Sequence, residues 1–553
     1  MRLVGRPFSS SYLAGEADAR AFMALDFRAP QERIARTRAA SARRIAPELA
    51  AVLRAQQAAL PASSARAANL EALCAGHTAV VATGQQVGLF LGPLYSFYKA
   101  ASAVAVARAL EAESGVRTVP LFWLQTEDHD FAEIAAATVA GADGAPLTLA
   151  LHDEAPAEAR VSVAQRRLGP EVDDLLETLA EALHPSPAAT ETLALLRAHY
   201  RPGQPLAAAF AGLLGALFAE EGLLILDPRV APIATLAAPI YRAAIDGAQA
   251  IERRLEERRD ALDAAGFDEQ IPARPGCALV FFHRVSAAGP RFRLARQPPI
   301  GRAPDDGWAL SGCDEIVPGE LVAEALARDP LRFSTSALLR PIVQDTLLPT
   351  AAYVGGPAEV SYFAQLGPLY DHFQLAPPLI VPRARFRCLD AHSRRLLSEL
   401  SLSPDDLARP RAELVARLPA ARPPGAPDPA ALAGRARDEI VPRVAELADA
   451  IAAALPADQN LARAAARTRA TVKVALDRLT NRYARQLAER DGVALARLGR
   501  LEAALAPGGH PQERVYAWPW LAGRHGPAAL KRAVFDRLTL EGPFSAALRD
   551  IDL

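Results

Sequence analysis

The chain has 553 residues, 51% hydrophobic and 23% charged, which is the composition of a folded globular protein rather than a disordered one. Its 62 basic and 63 acidic residues leave a formal net charge of -1, without the basic excess of a nucleic-acid-binding surface. No apolar run approaches the ~20 residues of a membrane span, and the N-terminal MRLVGRPFSSSYL lacks the apolar core of a signal peptide.

At ~100–200 residues per domain, two or three domains are expected. Cys74, Cys277, Cys313 and Cys388 stand far apart with no CxxC pair, which speaks against a disulfide framework or structural zinc and fits a reducing cytoplasm. Residues 30–75 read as helix. AVVAT (79–83) is a short apolar run with β-branched residues, hence a buried strand. YSFYKAASAVAVARALE (95–111) is helical, and TVPLFWLQ (118–125) is the next strand. Strand, glycine-bearing turn, helix and strand make a βαβ unit, which builds a parallel sheet. Ligands of such sheets sit outside the strands' carboxyl ends.

Residues 137–154 can form a hairpin, and 170–220 are helical with breaks at HPSP and RPGQP. GLLILDP (222–228) is another buried strand, followed by one long charged helix to about Leu262. CALVFFHR (277–284) and RFRLAR (291–296) read as an antiparallel hairpin. The segment from about 136 to 330 therefore reads as an insertion beside the sheet. TAAYVGG (350–356) ends a strand in paired glycines, PAEVSYFAQLGPLYDHF (357–373) continues helically, and PPLIVPR (377–383) is a last strand. Residues 386–401 read as helix, and 403–434 are Pro-rich and partly extended. Ile440, Val444, Leu447, Ile451 and Leu455, then Leu461, Ala465, Thr468, Val472, Ala475, Leu479 and Tyr483, repeat with a period near 3.5 residues. That period marks a coiled coil whose arms turn back at Pro456 and Asp458.

Three stretches carry costly residues. TGQQVGLFLGPLYSFYK holds Thr83, Gly84, Gln85, Gln86, Gly88, Gly92, Pro93, Tyr95 and Lys99. Glycines at a strand-to-helix turn admit a ligand to the backbone and favour an anion, although the spacing fits neither GxGxxG nor a P-loop. A tight turn with solvent-facing amides is the plainer alternative. EDHDF gathers Glu127, Asp128, His129 and Asp130, which perturb one another's pKa if they converge. Strand alternation would send Glu127 and His129 to one side and Asp128 and Asp130 to the other. His129 suits acid–base work or anion stabilisation, and Asp128 or Asp130 also suits a helix cap. With one His and no second ligand set at metal spacing, no permanent metal is expected. The third stretch brings Arg340, Gln344, Asp345, Tyr353, Gly355, Gly356, Glu359, Tyr362 and Gln365. Arg340 suits a carboxylate or phosphate gripped by two bonds, or an internal salt bridge to Asp345. VGGPAE resembles a second anion cradle at a helix start.

Together with FWLQTEDHDFAEI, LLRPIVQDTLLPTAAYVGGPAEVSYFAQLGPLYDHF and the late QERVYAWPWL (512–521), the first of these stretches resembles the bacillithiol biosynthesis cysteine-adding family, BshC, in order along nearly the whole chain. Leu124-Gln125-Thr126 departs from the Ala-Gly or Ser-Glu common before EDHDF in that family. The resemblance implies an α/β protein with a Rossmann-like parallel-sheet core and inserted connecting segments (1–385). An α-helical coiled coil (386–510) would support a homodimer, and 511–553 would return to the core. It implies a cytoplasmic ligase that joins cysteine to glucosaminyl-malate. No cofactor would be permanently bound, and ATP with Mg would serve as co-substrate for carboxylate activation. The Gly84–Gly92 turn, Lys99 and His129 would then serve phosphates, Glu127 and Asp130 an ammonium, and Arg340 a malyl carboxylate. The catalytic candidates are His129, Glu127, Asp130 and Lys99. Two other readings stay open: a metal-dependent phosphohydrolase using Glu127, Asp128 and Asp130, and a non-enzymatic dimeric scaffold.

Overall fold

The structure, a computed structural model, describes residues 6–141, 144–152, 161–296, 307–313, 315–418, 426–455, 458–488, 491–545 and 547–553. The expected turn residue Pro456 and part of the Pro-rich stretch lie outside the described residues. The chain divides into two compact units. Leu147–Arg387 and Glu513–Ile551 join the residues up to 142 in the first, and Cys388–Gln512 form most of the second.

The first unit is built on a five-stranded parallel sheet. Its strands are β1 (Ala79–Gln85), β2 (Thr118–Leu124), β3 (Leu224–Leu226), β7 (Thr350–Gly355) and β8 (Leu379–Pro382), in the order β8-β7-β1-β2-β3. Nearly every residue of these strands is buried, which is why they read as continuous apolar runs rather than alternating ones. The chain steps outward from β1 to β2 and β3, then returns to the other side of β1 to lay down β7 and β8. This is a Rossmann-like order, and the reversal opens a crevice at the carboxyl ends of β1 and β7. Helix α1 (Leu94–Ser114) makes the crossover from β1 to β2.

Between β3 and β7 a smaller antiparallel sheet is inserted. It contains the expected hairpin of β4 (Cys277–His283) and β5 (Arg291–Arg296), with β6 (Phe333–Thr335) on the other side of β4. The stretch 136–330 is therefore not wholly an insertion, because β3 belongs to the parallel sheet.

Other boundaries differ for local reasons. Residues 30–75 are three helices, Pro30–Ser41, Pro47–Ala58 and Ser64–Ala75, the later two starting at Pro47 and behind the Ser63 cap. The charged helix after β3 is two, Ala231–Asp246 and Ala248–Ala264, separated at Gly247. The helix after β7 also breaks, into α3 (Pro357–Phe363) and Gly367–His372, and it is preceded by α2 (Arg340–Leu347). Arg385–Leu389 is a strand, so the next helix starts only at Ala391, where the Asp390 carboxylate caps the Ser393 N–H at 2.7 Å.

In the second unit, α4 (Val441–Ala454) packs along α5 (Gln459–Ala488). The 3.5-residue repeats do not all lie in that seam. Ala448 and Ala465 are buried, whereas Leu447, Ile451, Leu455 and Leu479 are 63%, 48%, 60% and 65% exposed. Leu447, Ile451 and Leu455, spaced four apart, thus form an outward apolar stripe along the α4 segment, and the small residues let the two helices approach. Among the described residues, no helix is long and apolar enough to cross a membrane.

Candidate active site

Helix α1 starts nine residues past the end of β1, and its positions 95 and 99 share a face because they stand four apart. That face meets the carboxyl ends of β1 and β7. The Lys99 ammonium, almost fully buried, donates to the Gly84 carbonyl at 2.7 Å and to Gln85 Oε1 at 2.8 Å, and it pairs with the Glu359 carboxylate. Glu359 stands on the first turn of α3. It also accepts the Tyr353 hydroxyl at 2.6 Å and the Gly356 N–H at 2.7 Å. Burial works against the charge of Glu359, but Lys99 and these two donors hold its carboxyl below the usual range. Burial likewise pulls Lys99 down from an ordinary lysine, with Glu359 opposing it. The expected anion cradle at VGGPAE is therefore occupied by the protein's own carboxylate.

Arg340, at the start of α2, is buried beside this pair. It donates to Gln344 Oε1 and to the Tyr362 hydroxyl, both at 2.9 Å, and its guanidinium lies 5.0 Å from the Tyr353 ring centroid. Burial opposes its charge, but Tyr353, Tyr362 and Glu359 outweigh that and hold it above the ordinary arginine value. No carboxylate stands within ion-pair distance of Arg340 among the described residues, and the alternative, a salt bridge to Asp345, is not made. Asp345 instead accepts from Gln344 at 2.9 Å and from the Tyr370 hydroxyl at 2.5 Å. Arg383, directly after β8, makes a two-pronged buried pair with Glu513 at 2.7 and 2.9 Å.

The EDHDF segment leaves the strand before its side chains can alternate, because β2 ends at Leu124. Glu127 is buried and accepts the Thr335 hydroxyl and, at 3.3 Å, the Thr335 N–H. Asp128 pairs with the buried Arg291 at 2.9 Å and accepts the Gln86 amide at 3.2 Å. Burial of Asp128 is outweighed by His129 and Arg291, which hold its carboxyl well below the usual range. His129 lies beside the same two partners, its Nδ1 3.3 Å from each. Asp130 caps a four-residue helix by accepting the Glu133 N–H at 3.2 Å. The three carboxylates are thus committed to different partners, so the metal set of the phosphohydrolase reading is not assembled. No group of three or more His, Cys, Asp and Glu among the described residues is placed to hold a metal ion.

A cavity of ≈ 280 Å³ opens at the switch point between β1 and β7. Of the residues singled out in the sequence, Gln85, Tyr95, Lys99, Glu127, Asp128, Arg340, Gly356, Glu359 and Tyr362 line it. The others do not. Thr83 donates its hydroxyl to the Val354 carbonyl at 2.8 Å, inside the sheet. Gln344 and Tyr353 are buried behind Arg340 and Glu359. A Cβ on Gly355 would come within 3.1 Å of Glu359 Cβ.

Gly84, Gly88 and Gly92 are needed for chain packing. A Cβ on Gly84 would stand 2.9 Å from the Trp123 carbonyl oxygen, and one on Gly88 would stand 2.8 Å from Gly92 Cα. Leu89, Phe90 and Leu91 fill the turn between them, and Pro93 bridges to Ala517. The Gly84–Gly92 turn is therefore closed and offers no phosphate cradle. Gln86, His129 and Asp130 stand behind or beside the lining side chains.

A family model described as the N-terminal Rossmann-like domain of bacillithiol biosynthesis BshC matches residues 4–384, and one for its C-terminal coiled-coil domain matches 444–545. The chain belongs to the BshC family. Relatives in Koribacter versatilis and Solibacter usitatus are each 33% identical to it. The first alignment covers 84% of this chain and 83% of the relative, the second 88% and 87%. A relative in Symbiobacterium thermophilum is 30% identical over 90% of this chain and 88% of its own length. All three are named BshC and, provisionally, cysteine ligase.

For this member of the BshC family, sequence reasoning missed several lining residues: Gln125, Glu133, Arg291, Thr335, Ser336, Arg383 and Arg514. Arg291 had no signal in the sequence, because alternation in RFRLAR puts it on the face opposite Phe292 and Leu294, where a charge reads as solvent-facing. Glu133 stands six residues after Glu127, within the same motif.

The Lys99–Glu359 pair gives a signed expectation. Glu359→Gln should cost about 3 kcal/mol at neutral pH, because it leaves a buried ammonium without its counter-charge. A carboxyl held low contributes stability above the unfolded value of ~4.3, and loses it as pH falls through its lower folded value. The gap in melting temperature between parent and variant should therefore narrow from pH 6 to pH 3. A gap that is absent, or that widens on acidification, contradicts the ionised pair.

Proposed function

We propose that this protein is the cysteine ligase of bacillithiol formation, joining the carboxyl group of L-cysteine to the amine of glucosaminyl-malate. The observation that carries this reading is the charge pattern of the cavity. Lys99, Arg291 and Arg383 each have a carboxylate partner, whereas Arg340 has only neutral ones. A buried guanidinium without a counter-ion is costly, and a ligand carboxylate supplies the missing charge through two parallel bonds. Arg340 is thus assigned the malyl carboxylate. Family membership supports the same reaction class, since the relatives carry the cysteine ligase name.

Joining a carboxylate to an amine is uphill in water, so the acid must first be activated, and ATP with Mg is the co-substrate of this reading. Protein residues then act mainly by positioning and by fixed charge. Lys99 is held by Glu359 and Gln85, so it acts as a fixed dipole at the cavity wall rather than as a free nucleophile. His129 is assigned a positioning role through Asp128 and Arg291. The outward apolar stripe of Leu447, Ile451 and Leu455 is assigned to a second copy of the chain, which makes the protein a homodimer through its coiled coil.

Arg340→Met should lower kcat/KM for bacillithiol formation from cysteine and glucosaminyl-malate by at least 10²-fold, mostly through KM for the malate-bearing substrate. An active parent with an equally active Arg340→Met variant contradicts the assignment, and an inactive parent contradicts the ligase reading. Leu447→Asp combined with Ile451→Asp should convert a dimeric parent to a monomer in light scattering with little change in melting of the first unit. A parent monomeric at micromolar concentration contradicts the dimer.

A further inference from the structure

One corner of the cavity is rich in acceptors. Asp128 and Glu133 both line it, and the Gln86 amide joins them, its Nε2 donating to Asp128 Oδ2 at 3.2 Å and to Glu133 Oε2 at 2.8 Å. Only an amide NH2 can donate to two carboxylates, so this pairing fixes which way the Gln86 side chain is turned. Its oxygen is then left buried with no partner among the described residues, on a side chain only 8% exposed. A buried acceptor without a donor carries the full cost of its desolvation. Two carboxylates on one cavity wall, held side by side by the Gln86 amide behind them, suit a group with several N–H bonds and a positive charge. An ammonium has three donors and no acceptor.

We infer that Glu133 and Asp128, held in place by the Gln86 amide, form the subsite for the ammonium group of the amine substrate, and that Glu133 takes its proton. This rests on the ligase reading and deepens it. Asp128 is already engaged by Arg291 and His129, so it stays a fixed anion. Glu133 has no arginine partner among the described residues and lines the cavity. Burial first, then the neighbouring Asp130 and Asp128, push its carboxyl up, with Lys99 and Gln86 opposing. Tyr95 also faces it across the cavity. A carboxylate with a raised pKa is a better base near neutral pH.

In the step itself, Glu133 accepts one proton from R–NH3+, and the freed lone pair forms the C–N bond to the cysteinyl carbonyl carbon. That carbonyl is held in a mixed anhydride with a phosphate group taken from the nucleoside triphosphate, and the phosphate leaves with the electron pair of the broken C–O bond. The second amine proton is then lost to solvent. The ammonium role expected for Glu127 and Asp130 passes to Asp128 and Glu133, because Glu127 is taken by Thr335 and Asp130 caps a helix.

The test compares calorimetric binding of glucosaminyl-malate with that of its N-acetyl derivative, which carries no ammonium, on the full-length parent and on Glu133→Gln and Gln86→Leu. The parent should bind the free amine at least tenfold more tightly, and both variants should lose that preference. Glu133→Gln should also lower kcat by ~10²–10⁴-fold with an unchanged melting temperature. A parent that binds both ligands equally, or a Glu133→Gln variant that keeps the preference, overturns the subsite. A Glu133→Gln variant with parental kcat overturns the proton-transfer role. Product formation by the parent is scored separately. Product without amine preference sinks the subsite and leaves the ligase reading standing, and amine preference without product does the reverse.

Discussion

A buried ammonium must find a counter-charge, and the crevice of this protein is organised around the one that Lys99 finds. Glu359 comes from the other side of the topological switch, so a single ion pair ties the end of β1 and its crossover helix to the end of β7 and the helix that follows. The desolvation of two charges is offset only when the remaining lone pairs and protons are also satisfied. Here Gly84, Gln85, Tyr353 and Gly356 do that. Gln85 and Gly356, with Lys99 and Glu359 themselves, also line the cavity, so part of what makes the pair tolerable also gives the site its shape.

Around this pair the charges are distributed unevenly. Arg383 is neutralised by Glu513, a residue brought back to the sheet by the last part of the chain, and Arg291 is neutralised by Asp128 from the loop after β2. Arg340 is left with hydroxyl, amide and ring partners only. Asp128, Glu133 and Gln86 make the opposite corner acceptor-rich. A cavity with a cation that no carboxylate contacts and a separate acceptor corner suits a ligand that carries both charge signs, and scaffolding alone calls for neither.

The parallel sheet was legible because strands buried on both faces are uninterrupted apolar runs, and AVVAT and TVPLFWLQ end in polar residues while TAAYVGG ends in paired glycines. The site was legible as a location for the same reason. Individual roles were harder to read. Glycine is required equally by a ligand that touches backbone and by two chain segments that touch each other, and Gly84, Gly88 and Gly92 turned out to serve the second need. Alternation failed for Glu127 to Asp130 because the strand stops three residues earlier. Arg291 and Thr335 reach the site from a separate sheet, and Glu513, the partner of Arg383, comes from the far end of the chain; no local pattern encodes such an approach. The coiled coil was read from its period, but which heptad residues face the neighbouring helix depends on packing that small residues such as Ala448 and Ala465 decide.

The central claim is that the crevice between β1 and β7 is where the malate-bearing substrate is held. A crystal structure of the protein with glucosaminyl-malate tests it most directly. The account predicts a malyl carboxylate on the Arg340 guanidinium and the sugar amine toward Glu133 and Asp128, with the Lys99–Glu359 pair intact. Ligand density elsewhere on the chain with this crevice empty, or a bound molecule whose carboxylates avoid Arg340, would contradict it.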